Sequence, residues 1–154
     1  MIAVDIADSR LERARSTFGA DVTVNNSSHD PVDVVKALTD GLGADVAIEA
    51  VGVPETFELC TELVRPGGRV ANIGVHGHPA TLHLEKLWIR NVTITTGLVD
   101  THSTPRLLKL VAEDRLDPQP FGTHHFKSDE ILESYSVFAD AAKTNALKVV
   151  LTAS

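Results

Sequence analysis

Residues 1–21, MIAVDIADSRLERARSTFGAD, carry the decisive pattern. Apolar residues from Ile2 to Val4 lead into Asp5, a helical period follows through Leu11, Ala14 and Phe18, and Gly19 closes it. A strand that ends in a carboxylate and runs into a helix reads as the second strand of a dinucleotide-binding unit, where the carboxylate accepts hydrogen bonds from ribose hydroxyls. The glycine-rich turn that holds the pyrophosphate lies one strand upstream in such units. Nothing precedes residue 1 here, so the first strand, its turn and its helix are expected to be absent.

Working outward, short β-branched runs alternate with helical segments. Strands are expected at Ile2 to Val4, Val22 to Val24, Val46 to Glu49, Arg69 to Ile73, Val92 to Thr96 and Lys148 to Thr152. Helices are expected at Ser9 to Phe18, Pro31 to Leu42, Pro54 to Val64 and Ser128 to Ala142. Asp30 before Pro31 is an N-cap followed by proline at the first helical position, and Gly41 and Gly43 close that helix. Pro66-Gly67-Gly68 turns the chain into the next strand. Ser128 lacks a partner for a full capping box, though Asp129 and Glu130 favour a helix start electrostatically. From Gly74 to Lys86 and from Asp100 to Thr123, Pro, Gly and His interrupt any periodicity. The alternation implies βαβ crossovers and an α/β fold: a Rossmann-like, doubly wound parallel sheet, truncated at its N-terminus.

The chain of 154 residues fits one domain, and its 43% hydrophobic content argues against disorder. A formal charge of -7 argues against a nucleic-acid surface. Arg10, Arg13 and Arg15 form the densest basic group, on a helix with acidic neighbours that reads as a solvated face. Cys60 is the only cysteine, so neither an internal disulfide nor a cysteine zinc cage forms, and a reducing compartment fits. The N-terminal apolar run is too short for a signal peptide, and no stretch approaches the ~20 apolar residues of a membrane span. A cytoplasmic location and no membrane partner are expected.

Several residues invite chemistry. Asp5 and Arg10 would bracket an adenosine ribose, or else cap a loop and decorate a solvated helix; spacing leaves both readings open. Gly52 follows the strand ending at Glu49, and Gly74 the strand ending at Ile73. Glycine beyond a strand's carboxyl end lets backbone approach a ligand, or simply makes a turn. Their repetition at successive strands favours a shared cleft. Of the histidines, His76, His78 and His83 form one group and His124-His125 another. Neither group has a cysteine or carboxylate at zinc-ligand spacing, so metal binding is disfavoured. His124 and His125 point to opposite faces if extended. Cys60, mid-helix among apolar neighbours, reads as a packing residue. No G-x-S-x-G, G-x-G-x-x-G or P-loop occurs; Gly41-Leu42-Gly43 lacks a third glycine.

Taken together, VDIADSRLERA, FGAD, GADVAIEAVG, VRPGGRVANIGV, EKLWIRNVTITTGLVD and the closing ALKVVLT resemble the zinc-dependent alcohol dehydrogenases of the medium-chain dehydrogenase/reductase superfamily. The resemblance runs through the whole chain in order. It covers the later part of that family's cofactor domain, with the helix and strand that end it. It implies that Asp5 is the acidic ribose ligand favouring NAD over NADP and that Arg10 is a basic residue near the adenosine ribose. Val51 and Gly52 then pack near the cofactor riboses, and Ile73, Gly74 and Val75 meet the nicotinamide carboxamide. Gly97, Leu98 and Val99 lie beside the nicotinamide and, in dimeric members, at the edge where two sheets join. Lys148 matches a basic residue reaching a pyrophosphate oxygen.

The family's zinc ligands, proton relay and glycine fingerprint are not found in this sequence. The expected function is therefore the cofactor-binding part of an NAD-dependent alcohol dehydrogenase, weak or absent in NAD binding by itself and inactive as this chain. Zinc is expected only in the domain that is missing, with no catalytic or metal-ligating residue here. The alternative is a non-enzymatic oligomerisation or weak nucleotide-binding module. A methyltransferase also uses an acidic residue at the second strand's tip but needs the upstream glycine turn too. The resemblance makes the missing first strand central, between Ile2 to Val4 and Val46 to Glu49. Unsatisfied backbone groups cost about 1–3 kcal/mol each, so a homodimer or larger oligomer is expected, joined through the Val92 to Val99 edge with the N-terminal strand shifted or exchanged.

Overall fold

The structure, a computed structural model, describes residues 1–97 and 101–153. Its strands are β1 (Ile2–Asp5), β2 (Val22–Asn25), β3 (Ala44–Glu49), β4 (Val64–Asn72), β5 (Thr93–Thr96), β6 (Gly122–Lys127) and β7 (Lys148–Thr152). Its helices are α1 (Asp8–Ser16), α2 (Pro31–Leu38), α3 (Pro54–Leu63), α4 (Leu84–Leu87), α5 (Thr104–Ala112), α6 (Ile131–Ala139) and α7 (Ala141–Thr144). All ladders are parallel: β1 with β2, β3 with β4, β4 with β5, and β6 with β7. Parallel neighbours need helical crossovers, which α1, α3, α4 and α6–α7 supply. This is the α/β architecture expected. Contacts divide the chain into two units, Met1–Asn25 with Thr101–Ser154, and Asn26–Asp100.

In the first unit, α1 buries Leu11, and Ala20 and Val24 are buried as well. Phe18 stacks on Phe121 with ring centroids 4.5 Å apart, a contact worth about 0.5–1.5 kcal/mol beyond area burial. Asp5 stands opposite Asn25 in the β1–β2 register, so the tip of β1 is level with the end of β2. The second parallel pair of this unit, β6–β7, was not expected from sequence for β6, whose GTHHFK lacks β-branched alternation. The ladder skips Thr123, pairing Gly122 with Lys148 and then His124 with Val149. His124 is half-buried and its neighbour His125 exposed, as extended backbone requires.

In the second unit the strand order is β3-β4-β5. Val64 and Val70 are almost fully buried in β4, each contributing roughly 1.5–3 kcal/mol of transfer free energy. The N-cap reading of α2 holds: the Asp30 carboxylate accepts the Val32 N–H at 2.8 Å with Pro31 at the first helical position. That helix ends four residues earlier than its glycines imply, because Asp40 already adopts φ 50° and Gly41 N–H closes on the Lys36 carbonyl at 2.8 Å. β4 begins earlier than expected. Val64 pairs with Ala44 and Arg69 with Val46, so Pro66-Gly67-Gly68 loops out within the strand instead of preceding it. Arg90 donates to the carbonyls of Thr61 and Val64, capping the end of α3 where the helix dipole favours a cation.

Two further sequence expectations need correction. α5, TPRLLKLVA, is a regular helix with proline in its first turn, in a region where no element was expected. The Ser128 to Ala142 helix is three pieces: a 3-10 turn at Ser128–Glu130, then α6 and α7. Half a capping box does start it, since Glu130 Oε2 accepts the Lys127 N–H at 2.7 Å.

Candidate functional site

In the first unit Asp5 and Arg10 are brought together. Arg10 Nη2 donates to Asp5 Oδ1 at 2.7 Å and Nε to Oδ2 at 2.9 Å, while Ala7 N–H donates to Oδ1 at 2.8 Å. The turn between β1 and α1 makes this possible, placing the arginine one helical turn above the carboxylate. Burial pushes the Asp5 pKa up, but the bidentate Arg10 pair and the Ala7 N–H outweigh it and hold the carboxyl below its usual value. The Arg10 guanidinium is raised in turn by its bond to Asp5. Ser9, Arg10 and Arg13 line a small hollow with Asn145, Ala146 and Leu147, the residues that lead into Lys148. Lys148 itself opens β7 with its side chain exposed.

In the second unit the loops beyond β3 and β4 lie against each other. Ile73 and Gly74 N–H groups both donate to the Glu49 carbonyl, at 2.8 and 3.2 Å. Gly52, with φ 88°, lies so close to the Val75 backbone that a Cβ there would fall 2.7 Å from the Val75 carbonyl carbon. A Cβ on Gly74 would run into Gly52 and the Glu49 carboxylate. The close approach that glycine permits is therefore first of all between the two loops. Val51, Ile73 and Val75 are left exposed around them. Gly97 follows β5, whose Thr96 pairs with Asn72 at the end of β4, so it belongs to the same row of strand ends. Leu98 and Val99 lie outside the described residues.

Beneath the loops lies a group that sequence reading missed. Glu49 is 1% exposed, and its Oε1 accepts from Val51 N–H at 2.8 Å, Gly52 N–H at 2.8 Å and Thr56 Oγ1 at 2.7 Å. Burial pushes its pKa up, but the Gly52 N–H, the Thr56 hydroxyl, the Val51 N–H and His76 outweigh it, holding the carboxyl below its ordinary value. His76 Nε2 is 3.3 Å from Glu49 Oε2 and 2.8 Å from Asn72 Oδ1. The one available signal was a carboxylate at the very end of the strand, directly after the apolar run Val46 to Ile48.

The other histidines disperse. His83 pairs with Glu85 at 2.8 Å and approaches Glu58, and His124 Nδ1 bonds Thr123 Oγ1 at 3.0 Å. Among the described residues no group of three or more His, Cys, Asp and Glu is arranged to hold a metal ion. Cys60 is buried in α3, as a packing residue should be, and burial pushes its thiol up to about 11, so it is protonated and inert at neutral pH. A cavity of about 330 Å³, lined by Lys36, Gly43, Val64 and Arg90 among others, opens at the amino ends of β3 and β4, the wrong end for a ligand in this architecture.

A family model described as zinc-binding dehydrogenase matches residues 1–113. The chain belongs to the zinc-binding dehydrogenase family. The chain is 34% identical over 155 aligned residues to an alcohol dehydrogenase of Cupriavidus necator, covering 98% of the chain and 42% of that relative. Among solved structures it is similar to a zinc-dependent alcohol dehydrogenase 2 from Streptococcus pneumonia, with TM-score 0.92 and 47% identity over 99% of the chain and 45% of that structure. It is also similar to the alcohol dehydrogenase TADH from Thermus sp. ATN1, with TM-score 0.89 and 35% identity, covering 99% of the chain and 43% of that structure. The chain thus spans about two fifths of the length of the relatives it matches. Among the described residues no helix is long and apolar enough to cross a membrane.

Proposed function

We propose that this chain is the NAD-binding part of an alcohol dehydrogenase that oxidises an alcohol to an aldehyde or ketone, and that the chain alone does not turn over. The observation that carries the reading is the Asp5–Arg10 pair at the carboxyl end of β1. The Asp5 side chain is 29% exposed and engages three donors. A carboxylate offers about four acceptor sites, so one remains for a ribose hydroxyl. Arg10 keeps the carboxylate ionised and oriented. Lys148 contributes a cation suited to a pyrophosphate oxygen. Val51, Ile73 and Val75 present apolar surface suited to excluding water from a nicotinamide ring, and Gly97, exposed beyond β5, leaves backbone accessible. NAD, when bound, supplies the hydride acceptor.

A catalytic zinc does not fit this chain's own residues. Its only cysteine is buried and protonated, His76, His83 and His124 are committed to separate partners, and among the described residues no three His, Cys, Asp or Glu come together to hold a metal. The sequence also carries no G-x-G-x-x-G turn. Charge-assisted bonds to a pyrophosphate contribute roughly 1.5–3 kcal/mol each, so missing two of them weakens dinucleotide binding by about two orders of magnitude or more. Calorimetric titration is expected to give AMP an affinity within about tenfold of NAD, with Asp5→Ala weakening both, and no NADH to form from a panel of alcohols with or without zinc. Metal-dependent turnover, or tight NAD binding indifferent to Asp5→Ala, overturns the reading.

We also propose that the chain self-associates through the β5 edge. What supports this is the pattern of open edges: among the described residues β1 pairs only with β2, β3 only with β4, and β5 only with β4. On β3, Val46 and Ile48 are 52% and 64% exposed. Unpaired edges bearing apolar residues favour association. Light scattering at micromolar concentration is expected to give a dimer or larger species; a stable monomer overturns the proposal.

A further inference from the structure

Glu49 is a buried carboxylate that the proposed chemistry does not use. Ionised carboxylates are taken out of water only where donors compensate them, and here all three donors converge on one oxygen. Two are consecutive backbone N–H groups of the loop that leaves β3, and the third is a hydroxyl in the first turn of α3. One oxygen therefore ties the strand end, the loop and the helix start into a single geometry.

The other oxygen faces the neighbouring loop. Glu49 Oε2 is buried and makes no hydrogen bond among the described residues, and the same holds for His76 Nδ1. What Oε2 does face is His76 Nε2 at 3.3 Å, on the loop that leaves β4. Asn72, the ladder partner of Glu49, donates through Nδ2 to the Gly74 carbonyl at 3.4 Å, which leaves its Oδ1 as the acceptor for His76 Nε2–H. Gly74 has to be glycine because a Cβ there would run into Oε2 and the Gly52 backbone. Phe57 of α3 meets the His76 ring edge-on, with centroids 6.2 Å apart, and so fixes its plane.

We infer that Glu49 is a positioning residue for the two loops that flank the nicotinamide: one oxygen sets the backbone of Val51 and Gly52, and the other, with His76 and Asn72, sets that of Ile73 to Val75. The part of this inference that concerns the nicotinamide rests on the NAD reading above; the part that concerns the loops does not. A glutamine at 49 keeps an oxygen for Val51, Gly52 and Thr56 but turns an N–H₂ toward His76 Nε2–H, donor against donor. An alanine removes both halves. His76→Phe keeps the ring and its contact with Phe57 while removing only the second half.

Amide hydrogen exchange of the full chain, followed by NMR, separates these effects. In the wild type the Val51 and Gly52 amides are expected to be protected, and their shifts to titrate in acid with a midpoint below the ordinary glutamate value of 4.5. Glu49→Gln should keep the protection and abolish the titration. Glu49→Ala should lose the protection, with exchange at least about tenfold faster. Glu49→Gln and His76→Phe should both loosen the Gly74 amide and leave those of Val51 and Gly52 protected. If Glu49→Ala does not fold, the Glu49→Gln and His76→Phe comparison still decides. The ligand arm uses NADH and AMP as probes: Glu49→Ala should weaken NADH about tenfold and leave AMP, which lacks a nicotinamide, unchanged. Val51 and Gly52 amides that neither titrate in the wild type nor respond to Glu49→Ala overturn the inference, and altered loop exchange with unaltered NADH affinity overturns the part that concerns the nicotinamide. A wild-type chain that binds neither probe overturns the NAD reading instead, and hydrogen exchange by itself then decides whether Glu49 sets the two loops.

Discussion

Gly52→Ala is expected to be among the most destabilising single substitutions in this chain. Gly52 has φ 88°, where a Cβ meets its own backbone, and that Cβ would fall 2.7 Å from the Val75 carbonyl carbon and 2.9 Å from the Val75 nitrogen. These neighbours are backbone atoms in a loop tied to Glu49, so no rotamer change relieves the overlap. Overpacking costs about 1–3 kcal/mol where side chains can adjust, and an alanine at positive φ typically costs more than the ~1 kcal/mol it gains by stiffening the unfolded chain. Together they predict a loss of about 3–5 kcal/mol, a large share of the 5–15 kcal/mol typical of a domain. Gly74→Ala should behave similarly, since its Cβ meets Gly52 and the Glu49 carboxylate. Gly41→Ala is the control. It has φ 83° but nothing within 4 Å of the added atom, so it should lose about 1 kcal/mol from strain alone. Urea midpoints of the three variants check the order; equal losses at Gly41 and Gly52 would show that conformation, not contact, limits both sites.

The same pair of loops shows where sequence reading stopped. Glycine after each strand was legible, and the structure uses it to pack one loop on the other. The carboxylate beneath the loops was not legible, because the apolar pattern of β3 points the wrong way. Period-two reasoning turns Val46 and Ile48 inward and Glu49 toward solvent, whereas Val46 and Ile48 are exposed and Ala47 and Glu49 are buried. A carboxylate is buried when its donors come from loop backbone and a hydroxyl farther along, and those partners leave no periodic trace. β6 was missed for a related reason. GTHHFK has neither β-branched residues in alternation nor a regular register, and its pairing with β7 comes from Val149 to Leu151, more than twenty residues later. Where the partner is local the reading succeeded: Asp30 caps α2 through its own helix. β7 also keeps its expected boundaries, because its β-branched run is complete in itself.

Asp5→Ser is expected to reverse the preference between adenosine 5′-monophosphate and adenosine 2′,5′-bisphosphate. In the wild type the carboxylate occupies both Nε and Nη2 of Arg10. A 2′-phosphate brought to this place meets a negative charge and a guanidinium already engaged, so AMP should be the better ligand. Serine removes the charge and frees the planar fork of Arg10, whose geometry suits a phosphate bidentately. Charge-assisted hydrogen bonds contribute roughly 1.5–3 kcal/mol each, so the ratio of the two affinities should swing by about one to two orders of magnitude. Stability should change little, because a partly exposed ion pair is worth about 0–1 kcal/mol. Acidity offers an independent check with a defined sign. Burial raises the Asp5 pKa, but Arg10 and Ala7 lower it by more, so the carboxylate stays charged as pH falls to its ordinary value of 3.8. The ratio of wild-type to Asp5→Ser affinity for AMP, in which the ligand's own titration cancels, should therefore hold from neutrality to about that pH and shrink only below it. Titrations of both nucleotides at pH 7 and across the acid range measure all of this, and an unchanged affinity ratio in Asp5→Ser would remove Asp5 and Arg10 from the ribose site.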